Sequence, residues 1–312
     1  MASSDAVAAA DVSFRYGERL ALSDIELRIG QGEIHGLLGP NGGGKTTLFR
    51  LLSTLIPLQA GNVWIMDQDL RTDPAAIRLL LGVTFQSPSL DRKLTVGENL
   101  RHQGHLYGLS GHDLTMRSRA LLERLGVLDR YNDRVETLSG GQQRRVEIAK
   151  GLLHDPRLLL LDEPSTGLDP GARRDLWNSL LELRRDTGVT ILVTTHLMDE
   201  AEQCDRLTIL DKGKIVARGS PEELRASVGG DCLTIQTPNP DTLAVSIAEK
   251  FQLQPRRLGD SLRIERPRAH ELLEQLMDSF GPEITSVSLG KPTLEDVFIQ
   301  RTGHQFWHEV QA

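Results

Sequence analysis

Gly39-Pro40-Asn41-Gly42-Gly43-Gly44-Lys45-Thr46-Thr47 is the stretch that decides the fold. The pattern Gly-x4-Gly-Lys-Thr binds phosphate only between a strand and a helix. Both flanks are present. The stretch Glu33-Ile34-His35-Gly36-Leu37-Leu38 leads straight into the glycines, and Thr46 to Thr54 reads as the helix that follows. Gly39, Gly42, Gly43 and Gly44 let the backbone curl so that successive N–H groups face phosphate oxygens, an approach that side chains would block. Lys45 then supplies a point charge for the outer phosphates, and the Thr46 hydroxyl is placed to ligate Mg²⁺.

Outward from this loop, residues Val12-Ser13-Phe14 and Ile25-Glu26-Leu27-Arg28-Ile29 alternate apolar and polar, as half-buried strands do. Arg157 to Leu161, bounded by Pro156 and Pro164, and Val189 to Thr194 are continuous apolar runs. Such runs suit parallel strands covered on both faces, so the class is α/β. Between about residues 86 and 155 the character is helical, with Leu114, Leu121, Leu122 and Leu125 at the spacing of one helix face. Ser220-Pro221 and Gly229-Gly230 punctuate the end of this region. A nucleotide-binding domain over residues 1–228 is therefore expected, followed by a small α+β appendage over residues 231–312. The appendage has short strands at Leu233 to Thr237, Leu262 to Glu265 and Ile284 to Leu289, and a helix from Ala269 to Phe280.

Two further motifs carry chemistry. Asp162, at the end of a buried strand, can hold a metal through water, while Glu163 at the strand's exit addresses the attacking water. Since successive strand residues point to opposite faces, the two carboxylates need not compete for one position. Ser139 is an N-cap candidate for a helix from Gln142 to Leu153, and Gly140 and Gly141 leave amides open at its positive end. This is a second anion-binding surface in a chain with one phosphate loop.

A formal net charge of −7 and a pI of about 5.8 argue against a broad basic surface for nucleic acid. Cys204 and Cys232 are too few for a disulfide framework and lack metal-ligand spacing, so both read as reduced structural thiols. Met1 to Ala10 lacks the basic start and apolar core of a signal peptide. No run of about 20 apolar residues is long enough to span a bilayer, so any action on a membrane goes through a partner.

The order of the phosphate loop, Leu138-Ser139-Gly140-Gly141-Gln142, Leu158 to Glu163 and His196 resembles the ATP-binding cassette, the ATPase of ABC transporters. The fold this implies is a P-loop NTPase ABC core with a helical subdomain and a C-terminal α+β appendage. The resemblance also implies ATP and Mg²⁺ as cofactors, and assigns further roles. Tyr16 in Phe14-Arg15-Tyr16-Gly17 looks like the aromatic that stacks on adenine, with a purely structural tyrosine as the rival. Gln86 in Thr84-Phe85-Gln86-Ser87-Pro88 looks like the glutamine that reaches the magnesium. Asp169 matches a loop along the dimer interface, and His196 in Thr194-Thr195-His196 matches the histidine that contacts the γ-phosphate. Pro40, Asn41 and Thr47 complete the nucleotide set, with Thr46, Gln86 and Asp162 around the metal and Lys45, Glu163 and His196 as catalytic groups. In the family, two cassettes pair head to tail. Ser139, Gly140, Gly141 and Gln142 would then act on the nucleotide of a second cassette, most simply in a homodimer.

Pro292-Thr293-Leu294-Glu295-Asp296-Val297-Phe298, Arg301-Thr302-Gly303, the Gln142-Gln143-Arg144-Arg145 extension and Leu94 to Leu100 resemble exporter cassettes of the ABC-2 type. That implies a separate multi-span membrane permease, a peripheral location on the cytoplasmic face of the membrane and no direct nucleic-acid contact. Two rivals stand beside this reading. A soluble ABC ATPase acting on ribosomes or DNA usually carries two cassettes or long coiled-coil insertions. A small-molecule kinase would have no use for Ser139 to Gln142 or for Glu163.

Overall fold

The computed structural model describes residues 5–306, so the expected outer ends of both domains and the start of the Met1 to Ala10 segment lie outside the described residues. The chain divides into two compact units, Met1–Arg218 and Gly219–Ala312.

The centre of the first unit is a six-stranded sheet in the order Lys214–Gly219, Arg206–Asp211, Ile34–Leu38, Thr190–Thr195, Leu158–Asp162, Leu81–Thr84. The strand Ile34–Leu38 pairs in parallel with Arg206–Asp211 on one side and Thr190–Thr195 on the other. Leu158–Asp162 then pairs in parallel with Thr190–Thr195 and with Leu81–Thr84. Every residue of Ile34–Leu38, Leu158–Asp162 and Thr190–Thr195 is buried, as in strands covered on both faces.

A second, antiparallel sheet runs Arg19–Gly30, Asp5–Tyr16, Ala60–Ile65, Gln68–Asp69. Its alternating residues Val12, Phe14, Leu22, Ile25, Leu27 and Ile29 turn inward. The helix Lys45–Leu52 lies in the core shared by the two sheets, with Leu48, Phe49, Leu51 and Leu52 buried among Leu22, Leu37, Leu160 and Leu192. This element, directly after the glycine loop, is therefore clamped on two sides.

The helical stretch consists of Val96–Leu106, Gly111–Arg124 and Gly140–Leu152, which pack on one another. Thr95 caps the first of these: its hydroxyl accepts from Glu98 N while the Glu98 carboxylate accepts from Thr95 N. The family-like segment Leu94 to Leu100 is thus a helix start. On Gly111–Arg124 the buried positions are Leu114, Ser118 and Leu122, whereas Leu121 is half-buried.

The second unit orders its elements β-α-β-β-α-β. The strands are Asp231–Gln236, Arg256–Leu258, Ser261–Arg266 and Ser286–Gly290, with helices Pro240–Phe251 and Ala269–Phe280. All pairings are antiparallel, in the order Arg256–Leu258, Ser261–Arg266, Asp231–Gln236, Ser286–Gly290. This is a ferredoxin-like arrangement, with Leu233, Ile235, Leu243, Ile247, Leu262 and Leu272 as its core. The unit begins ten residues before the expected boundary at Gly229-Gly230, because the helix Pro221–Ala226 packs against Leu294–Thr302 of the same unit.

Phe49 is completely buried at the centre of the first unit's core. Phe49→Ala should cost about 3–5 kcal/mol, seen as a lowered urea midpoint; an unchanged midpoint would show that Phe49 is not central to the fold.

Candidate functional site

The strand Ile34–Leu38 delivers the glycine loop at its carboxyl end, beside the exits of Leu158–Asp162 and Thr190–Thr195. Parallel strands end at the same edge, so residues far apart in sequence meet there. The loop's shape depends on its glycines, two of which show why. A Cβ on Gly39 would lie 2.3 Å from the backbone oxygen of Leu210, and Gly44 has φ of +109°. Neither position accepts a side chain without moving the loop. Gly43 N donates to Pro40 O, and Gly213 N donates to Gly43 O, so the turn after Arg206–Asp211 braces the loop from outside.

The loop opens on a cavity of about 380 Å³ lined by Tyr16, Pro40, Asn41, Gly42, Gly44, Lys45, Thr46, Thr47 and Glu163, together with Arg19 and Lys212. Tyr16 is exposed at 43% with its ring edge-on to Phe14 at 4.9 Å, at the mouth and not in the core. Buried Lys45 sends Nζ to Gly39 O at 2.7 Å and Pro40 O at 3.1 Å, within 4.0 Å of Glu163 Oε1. Burial lowers its ammonium from the ordinary value, and Glu163 and Asp162 pull it back up.

Glu163 is where the site's groups meet. Gln86 Nε2 and Thr166 Oγ1 each donate to its Oε2 at 3.2 Å, and His196 Nδ1 lies 3.2 Å from Oε1. The expectation that strand alternation separates Glu163 from Asp162 is corrected here. The strand ends at Asp162, and Glu163 has a left-handed φ of +45°, a turn that costs a non-glycine residue roughly 1–2 kcal/mol. What separates the carboxylates is that turn and Thr194. The Thr194 hydroxyl accepts from Glu163 N at 2.9 Å and donates to Asp162 Oδ1 at 2.6 Å. Burial raises the Asp162 carboxyl above its ordinary value; the Thr194 bond opposes this, the neighbouring Glu163 adds to it, and Lys45 and Arg144 oppose it.

Ser139, Gly140, Gly141 and Gln142 do not line this cavity. They begin the helix Gly140–Leu152, where Ser139 Oγ accepts from Gln142 N and Gln142 Oε1 accepts from Ser139 N. Both side chains therefore cap their own helix, which begins at Gly140 and not at Gln142. Ser139 and Gly140 are exposed at its positive end. Asp169 caps the helix Pro170–Thr187 by accepting from Ala172 N at 2.9 Å. That bond is the main cause holding its carboxyl below the ordinary value.

Sequence reasoning missed Arg19, Lys212, Thr194 and Arg144. Arg19 begins a strand and Lys212 sits in a turn, both without a motif, and Thr194 reads as an ordinary strand residue. Arg144 carried a signal, its place in the Gln142-Gln143-Arg144-Arg145 extension, without a contact to attach to it.

Comparison with known proteins places these residues in context. A family model described as ABC transporter matches residues 22–166, and one described as ATP-binding protein DrrA1-3-like, C-terminal domain, matches residues 219–302. The chain is 37% identical over 299 residues to the daunorubicin resistance ATP-binding protein DrrA3 of Streptomyces coeruleorubidus, covering 93% of each. It is 38% identical to the Nod factor export ATP-binding protein I of Cupriavidus pinatubonensis, over 93% of this chain and 89% of that one. Among solved structures, the ADP conformation of MJ1267, an ATP-binding cassette of an ABC transporter, aligns with a TM-score of 0.66 at 28% identity. That alignment covers 71% of this chain and 93% of the other. A dimeric post-hydrolysis state of the cassette MJ0796 bound to ADP and Pi aligns with a TM-score of 0.61 at 28% identity, covering 69% and 98%.

A carboxyl raised by folding binds its proton more tightly in the native state. Its contribution is therefore present below the ordinary value of 3.8 and lost as pH rises through the raised one. Asp162→Asn, which can still accept from Thr194, should raise the melting temperature of the nucleotide-free protein at about pH 7, with a gain that shrinks toward about pH 4. Melts that shift equally at both pH values would contradict the assignment.

Proposed function

The chain belongs to the ABC transporter family of ATP-binding cassettes and is an ATP-binding, ATP-hydrolysing subunit of the exporter class; we propose that it drives a separate membrane-spanning permease by hydrolysing ATP between two cassettes. The observation that carries this reading is the meeting of Lys45, Gln86 and His196 around the Glu163 carboxylate at the mouth of the phosphate loop.

In this reading the loop amides and Lys45 hold the β- and γ-phosphates, and Tyr16 offers its exposed ring to the adenine. Glu163 accepts a hydrogen bond from the attacking water and orients it toward the γ-phosphorus. His196 and Gln86, both against Glu163, hold that carboxylate in place. The oxygen donors of Thr46, Gln86 and Asp162 fit Mg²⁺, a hard cation usually held by one or two carboxylates plus substrate phosphates. When bound, the ion neutralises charge on the transferring phosphoryl group. The exposed start of Gly140–Leu152 serves the loop of a second copy, which supplies the missing wall. A monomer therefore hydrolyses ATP slowly.

Among the described residues no helix is long and apolar enough to cross a membrane. In the proposed assembly the cassette acts peripherally on the cytoplasmic side of a membrane-spanning permease. The relatives are named for daunorubicin resistance and for Nod factor export, so this reading takes an exported compound as the cargo. The permease selects that cargo.

Glu163→Gln should cut ATP turnover by at least about 100-fold while leaving ATP binding intact. With ATP and Mg²⁺ the tagged variant should accumulate as a dimer and recover a multi-span membrane protein from detergent-solubilised host membranes. Recovery of ribosomal or DNA-bound proteins without a membrane protein would refute the transporter reading.

A further inference from the structure

We propose that Arg144 is a positioning residue that transmits the placement of the signature helix, Gly140–Leu152, to the water-orienting Glu163 and to Gln86 of the same chain. The inference rests on the role given to Glu163 above.

Arg144 is only 7% exposed, and its guanidinium fork reaches two other segments of the chain and a carboxylate on its own helix. Nε donates to Pro164 O at 2.9 Å, Nη2 to Asp162 O at 2.9 Å, and Nη1 to Phe85 O at 2.6 Å and Glu147 Oε2 at 2.8 Å. Asp162 and Pro164 are the residues immediately before and after Glu163, and Phe85 immediately precedes Gln86. The fork therefore holds the peptide groups on both sides of the left-handed Glu163 turn and the entrance to the Gln86 loop. Nothing in the Glu163 side chain itself touches Arg144; the control acts through backbone.

The same helix face grips the far end of that loop. Glu147 Oε1 accepts from Ser89 N at 2.6 Å and Lys150 Nζ donates to Ser89 O at 2.9 Å. Arg144, Glu147 and Lys150 fall at i, i+3 and i+6, along one side of the helix. Residues 85–89 are thus fastened to the signature helix at both ends, with Gln86 between the fasteners and in contact with Glu163. When nucleotide or a partner displaces the signature helix, the Gln86 loop and the Glu163 turn move with it. A lysine cannot substitute: its single ammonium lacks the planar fork needed to reach three carbonyls on two segments at once.

The test uses the full-length protein, assayed below the melting temperature of each variant and above the concentration at which ATP drives dimerisation. Arg144→Lys should lower kcat by about 10- to 100-fold while the KM for ATP changes less than about threefold, as expected for misplaced attack geometry. Because Arg144 acts through Glu163, the double variant Arg144→Lys/Glu163→Gln should be no slower than Glu163→Gln alone. A kcat within about twofold of wild type, or losses that multiply in the double variant, would overturn the inference. Lys150→Met loosens the other fastener at a half-buried position and covers the case in which Arg144→Lys does not fold. It should lower kcat by about threefold or more at unchanged KM, and an unaltered kcat would again overturn the inference. A wild-type protein without ATP turnover would refute the ATPase reading itself, and this inference with it.

Discussion

The direction of the parallel strands is the constraint on which the rest depends. Ile34–Leu38, Leu158–Asp162 and Thr190–Thr195 are buried on both faces, so polar chemistry can emerge only at their ends. Because they run parallel, their carboxyl ends fall on one edge, and the glycine loop, Asp162 and His196 leave the sheet together. The clamp on Lys45–Leu52 from both sheets fixes the loop against that edge. Apolar burial far from the nucleotide thereby sets the distances on which catalysis relies.

At that edge the molecule manages two carboxylates and one buried ammonium in a small volume. Thr194 reconciles the acids by donating to Asp162 and accepting from the backbone of Glu163. The left-handed turn at Glu163 then swings its carboxylate toward Lys45, Gln86 and His196. Strain at a single residue is tolerable because the peptides on either side are held by Arg144.

The sheet was legible because continuous apolar runs and a glycine loop are local patterns, and the helix expected from Ala269 to Phe280 spans those residues. Short pieces without periodicity were not legible: the two-residue strand Gln68–Asp69 and the helix Pro74–Leu80, which buries only Ile77, are set by tertiary pairing. The domain boundary was placed at Gly229-Gly230 because punctuation is visible in sequence, whereas the packing of Pro221–Ala226 on Leu294–Thr302 is a long-range contact. At the site, Tyr16, Asn41, Lys45, Thr46, Thr47 and Glu163 line the loop cavity, and Ser139 to Gln142 do not. The alternation argument failed at Glu163 because it assumed the strand continued for one more residue. Arg144 escaped notice because three of its four partners are backbone oxygens, on two distant segments, which no side-chain pattern reveals.

The separation of the anion-binding helix start from the phosphate loop of its own chain leads to the central claim, that each working site is built from two copies. Mixing two defective chains tests it directly. Lys45→Ala disables the loop and leaves the signature; Gly140→Asp leaves the loop and puts a negative charge on the signature face, where a Cβ meets only Leu168 at 3.7 Å. Each chain alone should be inactive. An equal mixture should recover up to about a quarter of wild-type turnover, since half the dimers are mixed and each has one complete site. A mixture no more active than either chain alone, or a Gly140→Asp protein that is fully active by itself, would contradict the shared site.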